Sequence, residues 1–182
     1  WPMYRHDPQR SGSSNSTLSD TLKQQWKTKL GGKLTQPVVT HNTVYVVDKD
    51  KQTLYALDKK NGAQRWHYIS GSRIDSAPTV LGNMIVFGCR DGYVYNLRAN
   101  DGEPIWRFRA APMDRLIMVD ERLESVWPCH GSILVHDDLF YFTAGRSSYL
   151  DGGLILYALQ PESGEIIHQA RLDTWNPTRD DA

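Results

Sequence analysis

The 182-residue sequence has no excess of either charge, because 21 Lys and Arg residues balance 21 Asp and Glu residues. This balance predicts no general attraction to nucleic acid or to an anionic membrane surface. No apolar run comes near the roughly 20 residues that a membrane-spanning helix needs. The sequence therefore favours a globular chain whose binding depends on particular surface residues.

Cysteines and catalytic motifs are also scarce. The two cysteines, Cys89 and Cys129, are not adjacent and lack the CxxC spacing of redox and zinc sites. Two ordinary semi-buried thiols are the favoured interpretation, and a disulfide between them is the alternative. The sequence contains no nucleophile elbow, phosphate-binding glycine loop or zinc signature. It therefore offers no catalytic residue and no metal site.

Internal repetition is the strongest feature that the sequence does have. Tryptophans recur at a spacing of 40 residues, and a turn glycine comes four residues before the tryptophan that ends each of the first two units. In a longer third unit His168 takes the place of the tryptophan. The positions that define the repeat are Trp26, Trp66 and Trp106 with Gly62, Gly102 and Gly164. We expect each flat indole ring to cover the gap to the next unit.

Each unit has the pattern of four short strands, because β-branched and aromatic runs alternate with Asn-Gly and Asp-Gly turns. A period of about 40 residues with four strands is typical of a β-propeller blade. The predicted segments are an extended stretch at 1–21, an outer strand at 26–30, blades at about 35–70, 75–110 and 131–172, and a tail at 173–182. The predicted fold class is all-β: an incomplete ring, or arc, of about three four-stranded antiparallel blades plus one extra outer strand.

The amino-acid pattern of the repeat resembles that of a known family. Leu54-Tyr55-Ala56-Leu57-Asp58, followed by Asn61-Gly62-x-x-x-Trp66, is similar to the PQQ-like repeat of quinoprotein alcohol dehydrogenases and BamB-like propellers. The resemblance covers about residues 22–172. It implies a bacterial periplasmic or other extracytoplasmic location. The segments at 1–12, 124–128 and 144–148 resemble parts of large multi-domain proteins of planctomycete-type bacteria.

The resemblance also predicts how many blades a complete ring contains. Rings of this family usually have about seven or eight blades, which require about 300 residues. The chain is therefore expected to be a fragment of a longer protein. The alternatives are several chains that assemble one ring, or a small ring closed by this chain alone. In the family, the N-terminal segment usually completes the last blade.

The expected function is that of a non-catalytic scaffold or a protein- or ligand-binding module, and the alternative is part of a PQQ-dependent dehydrogenase. No cofactor is evident, and PQQ enters only through the resemblance. The expected partner is a protein, or a second copy that associates through the open edges of the arc.

Loops that enter the inner strands, and the long hairpin at 144–152, carry the candidate site residues, since loops at the faces of a scaffold carry recognition. The candidate ligand-binding residues are Arg73, Asp75, Glu124, Trp127, His130 and Arg146. A structural role is the alternative for several of them. Arg73 and Asp75 then form a solvated pair, and Trp127 packs between blades. Arg146 either binds an anion or bonds to Asp151 or to backbone carbonyls.

Overall fold

The computed structural model of the chain describes residues 1–174, which contain strands and no helix. Blade 1 consists of β1 (Val38–Val39), β2 (Thr43–Asp48), β3 (Thr53–Asp58) and β4 (Gln64–Ile69). Blade 2 consists of β5 (Thr79–Leu81), β6 (Met84–Gly88), β7 (Tyr93–Arg98) and β8 (Pro104–Arg109). A two-stranded hairpin follows, β9 (Leu116–Val119) with β10 (Arg122–Ser125). Blade 3 consists of β11 (Leu134–His136), β12 (Leu139–Ala144), β13 (Leu154–Leu159) and β14 (Ile166–Leu172).

Each blade is an antiparallel meander whose strands pair in chain order, and the described residues do not close a ring. The predicted all-β propeller arc of four-stranded blades is therefore confirmed. Since no described residue is helical, none belongs to a helix suited to crossing a membrane.

The meander gives every blade two ends with different turns. The turns between third and fourth strands, at 59–63, 99–103 and 160–165, lie at one end, which we call the lock face. The turns between second and third strands, at 49–52, 89–92 and 145–153, lie at the other end together with the blade connections. We call this second end the hairpin face, because the β9–β10 hairpin arises from one of those connections.

A repeated contact joins successive blades at the lock face. Trp66 of blade 1 donates a hydrogen bond of 3.1 Å from Nε1 to the carbonyl of Ala99 in blade 2. Its ring covers Gly102, where an added Cβ atom would lie 2.6 Å from the indole and where φ is +79°. Trp106 repeats the contact with Pro161 O and Gly164 of blade 3. A Trp–Gly lock thus requires glycine both for its backbone conformation and for the space under the ring.

The predicted outer strand at 26–30 is wrong as secondary structure, since these residues have no strand assignment. A strand requires a hydrogen-bonded neighbour, and no described strand pairs with this segment. Trp26 nevertheless makes the repeat contact: its Nε1 donates 2.8 Å to Lys59 O, and its ring lies over Gly62. The segment therefore makes the Trp–Gly contact of an outer strand although it belongs to no sheet.

Residues 1–12 lie across the inner strands. Trp1 O accepts from Val39 N of β1 at 2.9 Å, and Pro2 O accepts from Val80 N of β5 at 2.8 Å. Arg10 Nη1 donates to Ser132 Oγ, just before β11, at 2.6 Å. Turns at residues 3–6 and 7–10 make this part of the chain folded, unlike the extended segment predicted for 1–21. In the described residues it binds all three blades, whereas the family resemblance led us to expect it in a last blade.

Two apolar clusters lie on either side of the blade 2 sheet. Cys89 belongs to the cluster shared with blade 1, and Cys129 belongs to the cluster shared with blade 3. Both thiols are buried and free, and burial raises the pKa of each well above its usual range. The disulfide alternative is therefore not what the structure contains; the two cysteines are ordinary core residues.

Blade 3 differs from its neighbours in having one uncovered side. Leu54 of blade 1 and Val94 of blade 2 are fully buried, but Leu156 at the matching position of blade 3 is 43% exposed. An open apolar groove of about 280 Å³ lies on this side, between Leu154, Leu156 and their neighbours on β14. The side of blade 3 that faces away from blade 2 thus has the composition of an inter-blade surface.

Candidate functional site

Four of the six predicted site residues meet in one charged network on the hairpin face. Arg73 Nε lies 2.7 Å from Asp75 Oδ1, in an ion pair without hydrogen-bond geometry. Arg90 Nε donates a hydrogen bond to the other oxygen of Asp75. Arg90 Nη1 also donates to both oxygens of Glu124, at 2.6 and 2.9 Å. Arg146 Nη2 completes the network with bonds to Glu124 Oε2 at 2.8 Å and to Ser125 O at 3.2 Å.

Backbone hydrogen bonds hold the parts of this network in place. Arg90 N donates to Arg73 O at 2.9 Å, which joins the β6–β7 turn to the connection between blades 1 and 2. Ser125 N donates to Arg90 O at 2.8 Å, which joins the same turn to the end of β10. The side-chain network therefore follows a fixed backbone path from blade 1 to the hairpin.

Glu124 is the centre of the network and its most buried member, at 2% exposure. A buried carboxylate is costly unless it is paired, and Glu124 accepts from two arginines that are themselves mostly covered. Burial acts to lower the pKa of Arg90, but its bonds to Asp75 and Glu124 outweigh this effect and raise the pKa. Three arginines face two carboxylates, so the network keeps one net positive charge.

The structural alternatives account for most of these residues. Arg73 and Asp75 do form a pair, although it is partly buried and extended by Arg90. Arg146 bonds to Glu124 and a backbone carbonyl, whereas Asp151 pairs with Arg115.

The remaining two predicted site residues lie outside the network. Trp127 is 3% exposed in the cluster between blades 2 and 3, where its Nε1 donates to Asp151 O at 3.0 Å. Packing is therefore the role of Trp127 that the structure shows. His130 is exposed.

The β9–β10 hairpin has two different sides. Its inward side carries Glu124 and Ile117, which packs against the core cluster. Arg122 on the same side reaches blade 1, with Nη1 3.4 Å from Asp50 O. Its outward side carries Leu116, Met118 and Leu123, which are at least half exposed. The hairpin is therefore fastened to blades 1, 2 and 3 by charges and presents apolar side chains outward.

A cleft of about 380 Å³ lies beside the network, where the inner strands begin. Thr35, Asp75 and Ser132 contribute to its wall from the approaches to β1, β5 and β11, and Tyr4 closes one side. Its lining is mainly small and polar. Asp75 links this cleft to the arginine network.

Sequence reasoning missed two parts of the site. Arg90 gave no signal because it is an ordinary turn residue, and its partners are 15 and 34 positions away. The β9–β10 hairpin lies between the predicted blades at 75–110 and 131–172, where no strand was predicted. The sequence signal that would have revealed it is the apolar run Leu116–Val119 followed by two polar residues, Asp120 and Glu121. In the structure both of these turn residues have positive φ.

The described residues do not fit a calcium–quinone centre of the kind that the family's enzymes use. No three His, Cys, Asp or Glu side chains come together in residues 1–174 as in a metal site. The two acidic residues of the network, Asp75 and Glu124, are already neutralised by arginines. No step of quinone chemistry follows from these residues.

Comparison with known proteins agrees with this geometry. A family model described as outer membrane protein assembly factor BamB matches residues 13–181. The BamB protein of Alkalilimnicola ehrlichii is 32% identical over 89 residues, which cover 48% of this chain and 22% of that protein.

Solved structures show the fold. BamB from Moraxella catarrhalis matches with a TM-score of 0.61 at 16% identity, over 81% of this chain and 39% of that one. Quinohemoprotein alcohol dehydrogenase from Comamonas testosteroni matches with a TM-score of 0.73 at 16% identity, over 94% of this chain and 27% of that one. The chain thus spans less than two fifths of these relatives. The matching family model nevertheless covers nearly all of it, and the chain belongs to the BamB family of PQQ-like β-propeller proteins.

Proposed function

We propose that this chain is a non-catalytic propeller module that binds a protein partner through its hairpin face, in an extracytoplasmic compartment of a bacterium. The observation that carries the proposal is the fastening of the β9–β10 hairpin. A buried carboxylate, Glu124, is held by two arginines so that an added hairpin stands in one position. Preorganised surfaces lose less entropy when they bind a partner.

Family membership supports the same function. The matching description, outer membrane protein assembly factor, denotes a role in assembly. The extracytoplasmic location rests on this description as well. The planctomycete-type origin stays a prediction from the sequence.

Cross-linking tests the proposal. A photoreactive residue would replace either Leu123 on the hairpin face or Ser163 on the lock face, and the chain would be irradiated in its own cell extract. We expect a discrete cross-linked protein from position 123 and none from position 163. Equal labelling from both faces, or none from either, would contradict a partner at the hairpin face.

A part of a quinoprotein dehydrogenase is the second candidate, favoured by the structural match to quinohemoprotein alcohol dehydrogenase over 94% of the chain. Adding PQQ with Ca²⁺, followed by an absorbance scan and a dye-linked alcohol assay, separates the two functions. We expect neither cofactor binding nor turnover, because the described carboxylates of the site are paired with arginines. Turnover would establish the enzyme instead.

We also propose that the uncovered side of blade 3 is covered by another propeller blade, from a longer form of the chain or from a second copy. Its exposed Leu156 and apolar groove support this. A mass measurement of the 182-residue chain in solution addresses the second copy. A clean monomer at micromolar concentration would contradict self-association.

A further inference from the structure

The outward side of the β9–β10 hairpin is an apolar surface that belongs to no blade. Met118 and Leu123 are opposite each other in the hairpin register and are 67% and 59% exposed, and Leu116 lies two residues from Met118 on the same side. Three exposed apolar side chains on one side of a small hairpin are a candidate interaction surface.

Within the described residues, three exposed carboxylates without an ion pair lie at the margins of this patch. Asp114, Asp120 and Glu121 are exposed at its margins, and no described cation forms an ion pair with them. The neighbouring cations Arg115 and Arg122 are engaged by Asp151 and Asp50. The patch therefore presents apolar side chains within a rim of free carboxylates, which disfavours an anionic membrane surface and favours a cationic partner.

The hairpin also has an unused strand edge. Among residues 1–174, β9 pairs with β10 on one side only, whereas the end of β10 is bonded to Arg90 of blade 2 through Ser125 N. An exposed strand edge accepts an extended segment, which gains backbone hydrogen bonds while its alternate side chains contact the adjoining surface.

We infer that the outward side of the hairpin binds an extended segment of a partner protein in which apolar residues alternate with Lys or Arg. The segment adds to the free edge of β9, and its apolar side chains pack beside Leu116 and Met118 and extend the surface that these form with Leu123. Its cations face Asp120 and Glu121. This inference rests on the proposed function and names the chemistry of the partner.

The test uses the full chain and a labelled synthetic peptide of alternating valine and lysine, with fluorescence anisotropy as the readout. A peptide of alternating valine and glutamate is the charge control. We expect the lysine peptide to bind at least about tenfold more tightly, and the difference to shrink as salt is raised. Equal binding of the two peptides would overturn the assigned charge preference.

Two variants locate the binding. Met118→Ser with Leu123→Ser removes the apolar surface and is expected to weaken binding at least about tenfold. Leu18→Ser with Leu22→Ser is the matched control, because these leucines are even more exposed but lie in the N-terminal segment. This control should leave binding unchanged. All substituted side chains are exposed, so folding should be unaffected and is checked by circular dichroism. Unchanged binding by the hairpin variant would overturn the assignment.

Two further measurements separate the parts of the inference. Asp120→Asn with Glu121→Gln should weaken the lysine peptide about threefold to tenfold at low salt, with Glu162→Gln as the control. A lysine peptide with N-methylated backbone should lose binding, since it keeps the side chains but cannot pair with β9. Binding of that peptide at full strength would refute strand addition.

The membrane alternative is tested with vesicles that contain phosphatidylglycerol. We expect no binding, and vesicle binding without peptide binding would overturn the inference. If the lysine peptide fails while cross-links from position 123 still capture a discrete protein, then the partner chemistry is wrong and the proposed function stands.

Discussion

The two ends of the blades stabilise the arc by different means. At the lock face, Trp66 and Trp106 cover glycines of the following blades and bond to one backbone carbonyl each. At the hairpin face, Arg90 and Arg146 surround the buried carboxylate of Glu124. The tryptophans of the Trp–Gly lock recur every 40 residues. The charged network, in contrast, occurs once in the described residues.

This difference teaches which end holds the architecture and which end is available for function. Burial of an indole ring against backbone is non-directional and tolerates no added atom, so it fixes blade spacing. A charged network depends on the particular residues that enter it and gains little net stability for its size. Substitutions at the two ends are therefore expected to differ in size and in their response to salt.

The largest expected effect is at the centre of the lock face. Trp66→Ala removes a buried aromatic ring and its hydrogen bond, and should lower the free energy of unfolding by about 3–5 kcal/mol. Urea denaturation measures this change. Trp26→Ala is the comparison, since Trp26 makes the same contact from a segment outside any sheet; we expect a smaller loss. An equal loss from Trp26 would mean that the segment is as integrated as a blade.

The next largest effect distinguishes two reasons for glycine in the lock, its backbone conformation and the space under the indole ring. Gly102→Ala should cost about 3 kcal/mol, because a Cβ atom there overlaps the ring of Trp66 and φ is +79°. Gly82→Ala is the matched control: φ is +56°, but nothing lies within 4 Å of the added atom. Its cost should be about 1 kcal/mol. Similar costs at both positions would show that the indole moves aside.

The hairpin face should show an intermediate effect. Glu124→Gln leaves Arg90 and Arg146 without their shared carboxylate, and we expect a loss of about 2 kcal/mol, since both arginines remain partly exposed. A double-mutant cycle with Arg146→Met isolates the pairwise part. Added salt should reduce this coupling slightly and leave the effect of Trp66→Ala unchanged. A coupling near zero would remove Glu124 as the fastening of the hairpin.

The smallest effect concerns the thiols beneath the hairpin face. Burial raises the pKa of Cys89 and of Cys129, so both stay protonated in the folded chain when the unfolded chain ionises near pH 9.0. Stability from these groups is fully present below that pH and is lost as pH rises above it. Thiol-specific labelling at pH 8 should be very slow when the chain is folded and rapid in urea. Rapid labelling of the folded chain would contradict the burial of both thiols.

Much of the fold was predictable from the sequence because the lock is a local signature that repeats. Trp66 and Gly102 could be recognised from spacing alone, and their contact follows from stacking identical units. The prediction of a strand at 26–30 was wrong for a physical reason. The residue pattern favours an extended conformation, but it does not supply a strand for it to pair with.

The candidate site was predictable only in part. Arg73, Asp75 and Arg146 lie in loops, as predicted, whereas Glu124 lies in β10 and not in a loop. The convergence of the four depends on how blades 2 and 3 are placed. Arg90 joins them across separations of 15 and 34 residues, which no local pattern encodes. The role of Trp127 in packing, in contrast, was among the alternatives that the sequence offered.

The bonds of residues 1–12 have a consequence for how the chain is made. Every partner of this segment on the blades comes later in the sequence: Val39, Val80 and finally Ser132, which is 122 residues beyond Arg10. During synthesis the segment therefore emerges well before the strands that receive it. Closing so long a loop is costly in chain entropy, so we expect the contact with Ser132 to form after the hairpins of the blades. Residues 1–12 are then among the last to reach their native position.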